Sequence, residues 1–493
     1  MCYQNSIRFF NVGKHKYKSF HELAKDVNFG VILNYMASED KDDIPWITNV
    51  VSVPMLEEQE LGKRQDLIRF LCGNPAIIDE AYRLIKKFYD KYSRMFKLVE
   101  NGKKEMDQCS STAASCIELL QCLSEFVSSF SGLIKKYNLS EIKEFSTLCS
   151  SFSDFANSPF CGEMASCIDS YKKEGQITFQ ISIGQGFKFS NIAFDSIDCT
   201  KERNYVFLPR KKDGSFLYRD DSVCAGGMAL ADYFLVNLVK DNWLEFQEWV
   251  FSFEHLRSQS AFLYGSVKLY KRGLERGFYF SYPQLANSSC EMKELYELSL
   301  AFQTTTFPIT NDVRLTNKKG LVVTGTNQGG KSTFLRSLGI AQLMYQCGMY
   351  VPAAEYSSKR YRQIFSHFTK REDSAMNTGR FEEELIRMEY ILQNAEEGSL
   401  ILSNETFCGT TEVTATQVAM AIAEGIKDYD IDLWMVTHIS QFAINLYNQS
   451  NNDYVFLSAA HKSEGQEPFK MIEKKPDNTS FGMELFQSVL FEE

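Results

Sequence analysis

The 493-residue sequence predicts a multidomain protein in which an α-helical domain with a small β insertion is followed by an α/β domain. Apolar residues recur at helical spacing between about residues 54 and 171. A short stretch then alternates apolar and polar residues, as a strand does. From about residue 295, strand-like apolar runs alternate with helical spacing, which is typical of an α/β layout. These patterns predict an N-terminal segment over residues 1–42, a helical domain over 43–292 with its β insertion near 176–208, and an α/β domain over 293–493.

Within the helical region, apolar side chains fall three or four residues apart, as on one face of a helix. The β insertion is predicted as a hairpin, because two alternating runs flank a Gly-Gln-Gly turn at residues 184–186. Helical spacing then returns from Met228 to about Lys271. The apolar positions behind these predictions are Leu67, Leu71, Ile77, Ala81 and Ile85 for the helices and Ile177, Phe179, Ile181, Ile183, Phe187 and Phe189 for the hairpin.

Composition excludes several classes of protein. The thirteen cysteines form no CxxC pairs and have no histidine cluster nearby, which favours reduced cytoplasmic thiols over disulfides or zinc. No apolar run approaches the roughly 18 residues of a membrane span, and the N-terminus lacks the pattern of a signal peptide. The net charge of −10 means that any contact with nucleic acid has to come from local basic patches.

The most specific motif is a phosphate-binding loop. Residues 325–332 read GTNQGGKS and fit the pattern G-x-x-x-x-G-K-[ST]. Its glycines let backbone N–H groups turn around a polyphosphate, and the following helix directs its positive end at the anion. A strand-like run at 320–324 and a helical run at 334–341 give the loop its expected setting. The predicted nucleotide-binding residues are Gly325, Thr326, Asn327, Gln328, Gly329, Gly330, Lys331, Ser332 and Thr333; Lys331 would reach the β- and γ-phosphates and Ser332 would bind Mg²⁺.

Two further strands are predicted to end in residues with useful chemistry. The apolar run at 399–405 closes on Asn404 and Glu405, where P-loop enzymes place an Asp for Mg²⁺ and a Glu for the attacking water. Asn404 offers a neutral amide oxygen in place of a charge, and Glu405 is the candidate general base. The run at 433–438 ends in His438, which either senses the γ-phosphate or only caps its strand.

These segments resemble the ATPase core of the MutS mismatch-repair family. There the phosphate loop reads close to TGPNMGGKST and is followed by Tyr-Val-Pro, as it is here at residues 350–352. Phe307 stands where that family has an aromatic residue that stacks on adenine. The resemblance covers about residues 295–490, and over 43–290 it rests on the helical plan alone. The matching segments are residues 324–352, 377–385, 388–395, 408–411 and 436–438.

The resemblance implies an ABC-type ATPase domain that hydrolyses ATP with Mg²⁺, beside a helical lever domain. It also implies a composite active site, in which the phosphate loop of one protomer faces residues 377–384 of another and Gly379 approaches the partner's γ-phosphate. A homodimer is therefore expected. The implied partners are DNA, bound without sequence specificity, and other repair proteins, in mismatch repair or recombination.

The sequence also departs from the family pattern. Asn404 replaces the usual Asp, which puts the rate of hydrolysis in question, and Gly379 stands where many members carry a Ser. The helices begin near residue 55, which leaves no room before them for the two domains of roughly a hundred residues that precede the levers of mismatch-reading members. Phe20-His21-Glu22 has the Phe-x-Glu spacing of a mismatch-reading wedge, but 39 phenylalanines make such hits common by accident. We therefore expect no direct mismatch reading.

Basic clusters offer the remaining evidence for DNA binding, through contacts to phosphates. A solvated helical face is the usual explanation for such clusters. One lies on a helical stretch at Lys86, Lys87, Lys91, Arg94 and Lys97, and another flanks the β insertion at Lys201, Arg203, Arg210, Lys211 and Lys212.

Three other functions compete with an active MutS-like ATPase. The first is a nucleotide-gated DNA clamp or scaffold with negligible turnover, for which Asn404 is the evidence. The second is an SMC-type chromosome ATPase, which needs long coiled-coil arms that the heptad pattern does not indicate. The third is the Smr-nuclease branch of MutS proteins, which needs an additional C-terminal domain, whereas the sequence stops soon after residues 480–485.

Overall fold

The computed structural model describes residues 8–11, 13, 15–37, 40–102, 109–157, 162, 173–183, 189–202, 243–286, 289–326, 328–369, 379–450, 452–459 and 468–477. The chain forms two compact units. Unit 1 comprises Met1–Phe9 and Asp79–Ser260, and unit 2 comprises Phe10–Ile78 and Ala261–Glu493. Residues 10–78 thus group with the C-terminal part of the chain. The sequence instead predicted domain boundaries at 42/43 and 292/293. Local periodicity reports each element separately and carries no information on which distant segments pack together.

Unit 1 is mainly helical. It contains most of α5 (Pro75–Gly102), with α6 (Cys109–Tyr137), α7 (Lys143–Ala156) and the first half of α8 (Trp243–Glu275). Its core is aromatic: the Phe88 ring stacks on Phe126 at 4.3 Å between centroids and meets Phe253 edge-on at 4.9 Å. These aromatic pairs hold three helices together, as the predicted apolar face requires.

The predicted hairpin is present in unit 1. Strands β1 (Lys173–Ile183) and β2 (Phe189–Glu202) pair antiparallel, with Ile177 opposite Ile197. The predicted turn at 184–186 and Phe187 lie outside the described residues, as do Arg203, the basic run at 210–212 and the start of the helix expected from Met228. That helix runs on to Glu275, a few residues beyond the expected Lys271.

Unit 2 opens with four helices, α1 (Phe20–Asp26), α2 (Phe29–Ala37), α3 (Ile44–Val51) and α4 (Glu58–Gly73). A smaller sheet follows, with strand order β3-β7-β4-β5. Its strands are β3 (Gln284–Leu285), β4 (Ser289–Leu295), β5 (Asn311–Thr316) and β7 (Glu355–Ser358), and α9 (Leu298–Gln303) lies between β4 and β5 in the chain. Strand β4 crosses the predicted boundary at 292/293.

The central sheet of unit 2 confirms the α/β expectation. Its order is β12-β11-β6-β10-β9-β8, and all neighbours pair parallel except β11 with β12. The strands are β6 (Gly320–Thr324), β8 (Ile364–Phe368), β9 (Leu400–Asn404), β10 (Asp432–Val436), β11 (Tyr454–Ala459) and β12 (Met471–Glu473). Because Val436 pairs with both Val323 and Asn404, the carboxyl ends of β6, β10 and β9 lie side by side. The loops that follow these strands therefore meet at one edge of the sheet.

Helices cover this sheet. Helix α10 (Lys331–Gln346) packs closely against β9, since a Cβ on Gly339 would lie 2.9 Å from Leu402 and 2.7 Å from Val27. Helices α11 (Arg380–Asn394), α12 (Glu412–Asp428) and α13 (Ser440–Ser450) contribute Met388, Ala419 and Phe442 to an apolar cluster with the β strands. No helix among the residues that the structure describes is long and apolar enough to cross a membrane.

Candidate nucleotide-binding site

The phosphate loop connects β6 to α10, as the sequence predicts. Gly325 and Gly330 adopt φ values of +116° and +82°, which a residue with a side chain rarely reaches. A Cβ on Gly329 would lie 2.8 Å from Ala459, so the loop is seated against the end of β11. Asn327 lies outside the described residues. The glycines thus give a tight turn that ends at the N-terminus of α10, a geometry that suits an anion.

The Lys331 side chain is buried and turned into this loop. Its Nζ donates to the carbonyl oxygens of Gly325 at 3.0 Å and Thr326 at 2.8 Å. Burial lowers the pKa of Lys331, and the nearby charge of Glu405 opposes that change. The ammonium group is therefore held at the mouth of the loop, where a bound polyphosphate would meet it.

Glu405 and His438 form a pair at the same edge of the sheet. Glu405 Oε1 lies 2.7 Å from His438 Nε2, and an ionised carboxylate accepts this hydrogen bond. The bond lowers the pKa of Glu405, and burial partly offsets that effect. Strand β10 ends at Val436, two residues earlier than the predicted strand end, so His438 lies in the following loop.

Hydrogen bonds between the backbone of Glu405 and other segments fix its position. Its N–H donates to the carbonyl of Val436 at 2.9 Å, and the hydroxyl of Thr369 donates to its carbonyl oxygen. Its φ of +55° is a left-handed conformation that residues other than glycine adopt at an energetic cost. Neighbouring strands thus determine where this carboxylate points.

Asn404 ends β9 and is the best evidence for a cation among the described residues. Its side chain is buried, and its Oδ1 has no hydrogen-bond partner within the described part of the chain. An orphaned buried amide oxygen is costly unless a ligand or water meets it. Ser332, which lines the cavity beside the loop, offers a hydroxyl oxygen, and Mg²⁺ takes oxygen ligands of both kinds. The residues present therefore fit the implied metal.

A cavity of about 610 Å³ opens beside the loop and is large enough for a nucleotide. Phe307 lines it with 41% of its surface exposed, and its ring is backed by Tyr279 at 5.6 Å and Tyr296 at 4.9 Å. The remaining predicted residues that line it are Gln328, Gly329, Gly330, Lys331, Ser332, Thr333 and Glu405.

Sequence reasoning missed a second aromatic residue in this cavity. Phe469 is 49% exposed and adopts φ +67°, and its ring would lie 3.2 Å from a Cβ on Gly330. Asn311 holds this segment, because its Oδ1 accepts from the N–H of Met471 at 2.7 Å. No local motif marks Phe469, since it lies 158 residues after Asn311, the partner that positions it.

The other predicted residues lie elsewhere. Gly379 is an exposed N-cap of α11 and does not line the cavity, while 377 and 378 lie outside the described residues. Phe20, in contrast, is buried in α1 and stacks on Tyr17 at 6.3 Å. Because its ring is buried here, the structure does not present Phe20 as a wedge between bases.

Sheet order, phosphate loop and converging strand ends define unit 2 as an α/β P-loop domain. A family model described as MutS domain V matches residues 321–491. Human MutS protein homolog 4 is 37% identical over 133 residues, which is 27% of this chain and 14% of that protein. The DNA mismatch repair protein MutS of Thermotoga sp. (strain RQ2) is 34% identical over 134 residues, covering 27% and 17%, and that of Prochlorococcus marinus (strain NATL1A) is 30% identical over 183 residues, covering 36% and 19%.

Over residues 321–491 the chain is similar to domain V of MutS proteins. The matches span less than one fifth of the length of these relatives. They confirm the resemblance read from the phosphate loop and its neighbouring strands. Roles of single residues are not tested by them.

Proposed function

We propose that this protein binds and hydrolyses ATP with Mg²⁺ and couples that cycle to DNA, in mismatch repair or recombination. The observation that carries the proposal is the convergence of Lys331, Asn404 and the Glu405–His438 pair at one edge of the sheet. A phosphate loop alone supports nucleotide binding. A buried unpartnered amide oxygen and an ionised carboxylate beside it add what hydrolysis requires.

We assign phosphate binding to the loop and Lys331. The ammonium group leaves the carbonyls of Gly325 and Thr326 and contacts the β- and γ-phosphate oxygens, since a full negative charge is the stronger acceptor. Ser332 and Asn404 hold Mg²⁺, directly or through water. When bound, Mg²⁺ supplies neutralisation of the phosphate charge.

Glu405 accepts a proton from the attacking water. The hydrogen bond from His438 keeps the Glu405 carboxylate ionised and fixes its orientation, both of which a general base needs. We also assign His438 the role of γ-phosphate sensor, supported by its contact to Glu405. Phe307 and Phe469 provide two aromatic surfaces for the base of the nucleotide.

A homodimer would complete the site. Gly379 is exposed at the N-terminus of α11, and a helix N-terminus favours an approaching phosphate of another subunit. Because Gly379 has no side chain, its contact to the γ-phosphate would come from backbone N–H. Helices α5–α8 would then act as the lever domain that links the composite ATP sites to DNA.

DNA is proposed as the partner on two grounds. Matched relatives are named DNA mismatch repair proteins. In unit 1, the exposed side of α5 carries Arg83, Lys87, Arg94 and Lys97 at helical spacing, interrupted by Asp90. Such a stripe can contact phosphates without reading bases. We leave Lys91 out of this stripe, because its Nζ lies 3.5 Å from the carboxylate of Glu118.

Binding to repair partner proteins and a cytoplasmic location stay predictions.

The alternative is a nucleotide-gated clamp or scaffold with negligible turnover. Asn404 favours it, because a neutral amide withdraws one negative charge from the metal site. Phosphate release by the purified protein, with Mg²⁺ or EDTA and with or without branched DNA, separates the two. Steady Mg²⁺-dependent turnover supports the ATPase. Tight ATP binding with no release beyond background supports the clamp, and no ATP binding contradicts both.

A further inference from the structure

The loop that carries Glu405 rests on the first turn of α11. A Cβ on Gly409 would lie 2.9 Å from the backbone nitrogen of Phe381 and 3.2 Å from Cγ of Arg380. Only glycine allows this approach of two backbones. The loop at 405–409 is therefore in direct contact with the start of the helix that follows Gly379.

Glu384 lies at this contact, one turn further along α11. Its side chain is only 6% exposed, and its carboxylate is 3.7 Å from Nε of Arg380. Neither carboxylate oxygen has a partner in normal hydrogen-bond geometry within the described part of the chain. Burial raises the pKa of Glu384, and Arg380 and the backbone amides of Phe407 and Gly409 oppose that rise. The carboxylate thus lies beside those two amides and the guanidinium of Arg380.

The loop needs such support because it is strained. Both Glu405 and Phe407 adopt left-handed φ values, +55° and +64°, without being glycine. The Phe407 ring stacks on His367 at 5.8 Å and meets Phe381 of α11 edge-on at 6.5 Å. The conformation of this loop therefore depends on the position of α11.

We propose that Glu384 is a positioning residue that couples α11 to the general base Glu405. A shift of the α11 N-terminus brings the Glu384 carboxylate onto the amides of Phe407 and Gly409, and this sets the backbone of Glu405. The inference rests on the proposed function, in which Gly379 contacts the nucleotide of the partner subunit. Hydrolysis in one protomer would then depend on the nucleotide that its partner holds.

The test compares Glu384→Met, Glu384→Gln and the matched control Glu389→Gln, which changes an exposed carboxylate on the same helix outside residues 377–384. Two kinds of measurement are made: ATP affinity and single-turnover hydrolysis, and hydrogen exchange of the amides at 405–409. We expect Glu384→Met to slow hydrolysis at least tenfold while the Kd for ATP changes less than threefold. Glu384→Gln keeps an acceptor oxygen and should fall between, and Glu389→Gln should match wild type.

Hydrogen exchange separates this inference from the proposed function. In wild type, Mg-ATP should slow exchange at 380–385 and at 405–409 together. In Glu384→Met, the Phe407 and Gly409 amides should exchange about tenfold faster even without ATP, while the β9 amides stay unchanged. Wild-type exchange at 405–409 in Glu384→Met overturns the inference. A wild-type protein that neither binds nor hydrolyses ATP overturns the proposed function, and the exchange measured without ATP still decides the role of Glu384.

Discussion

Two loops at the same edge of the central sheet achieve their shapes by different means. The phosphate loop places glycine at its two largest positive φ values, Gly325 at +116° and Gly330 at +82°, and among its described residues only Gln328, at +63°, is left-handed with a side chain. The loop after β9 places Glu405 and Phe407 in left-handed conformations that cost free energy. The first loop is shaped by its own sequence, whereas the second is held by Thr369, α11 and β10.

This difference separates binding from chemistry. A self-contained loop keeps its form when distant parts move, which suits a site that has to hold phosphate throughout a cycle. A loop held by its neighbours follows them, which suits a carboxylate that has to act only at one stage. We therefore expect substitutions in the first loop to alter nucleotide binding and substitutions around the second to alter the chemical step.

The largest effect is expected from Lys331→Ala. The substitution removes the buried cation that faces the β- and γ-phosphates, so hydrolysis should fall to background. The fold should remain, because Lys331 bonds only to two carbonyl oxygens of its own loop among the described residues. Phosphate release measures hydrolysis and circular dichroism measures the fold. The matched control is Lys318→Ala, which removes a half-buried ammonium group that donates to the carbonyl of Asn452. Turnover unchanged by Lys331→Ala would refute the assignment of the phosphate loop.

Glu405→Gln should come next. Loss of the proton acceptor slows hydrolysis by about 10²–10⁴-fold, the usual range for a general base. Phosphate contacts remain, so ATP should trap a long-lived dimer visible by light scattering. If mutant and wild type hydrolyse and dimerise equally, Glu405 is not the base and the composite site is wrong in that part.

Asn404→Asp sharpens the comparison by introducing a negative charge at the carboxyl end of β9. We expect turnover at limiting Mg²⁺ to rise by roughly tenfold, or 1.4 kcal/mol, because the carboxylate attracts the cation more strongly. Without Mg²⁺ the same variant should be less stable than wild type, since it buries an unpaired charge. Thermal unfolding with and without Mg²⁺ measures this. If the variant is equally stable with and without Mg²⁺ and hydrolyses ATP no faster than wild type, Asn404 does not face the metal.

A smaller effect concerns pH. The hydrogen bond from His438 lowers the pKa of Glu405, and a base must be ionised to act. In wild type, the rate should therefore stay high until pH falls through this lowered pKa. His438→Ala should move the acid limb of single-turnover hydrolysis to higher pH, beyond any change in the plateau. An acid limb at the same pH in both proteins argues that another group controls it.

The contrast between the loops also explains what the sequence could predict. Phosphate-loop residues and the strand ends at Asn404 and Glu405 are local patterns, and the structure places them where the patterns indicate. The sequence did not predict the roles proposed for Phe469 and Glu384, because these roles depend on partners such as Asn311 and Gly409 that are not neighbours in the chain. For the same reason the packing of residues 10–78 with the C-terminal part was missed. Short-range periodicity identifies elements, and only long-range contacts reveal which of them share a core.

The smallest expected effect is a difference between DNA substrates. We predict that a G·T mismatch and its homoduplex bind with affinities within tenfold, about 1.4 kcal/mol, at one fixed salt concentration. The described residues offer exposed cations on α5 for phosphates, whereas Phe20, the one aromatic at the N-terminus with wedge spacing, is buried against Tyr17. Binding should instead fall steeply with salt and favour bent or branched DNA, if it favours any form. Phe20→Ala should lower the free energy of unfolding by about 3 kcal/mol through a core cavity and leave the ratio of the two affinities unchanged. A preference above tenfold that disappears in Phe20→Ala, at a temperature where the variant is folded, would show that the ring leaves its core site to read DNA.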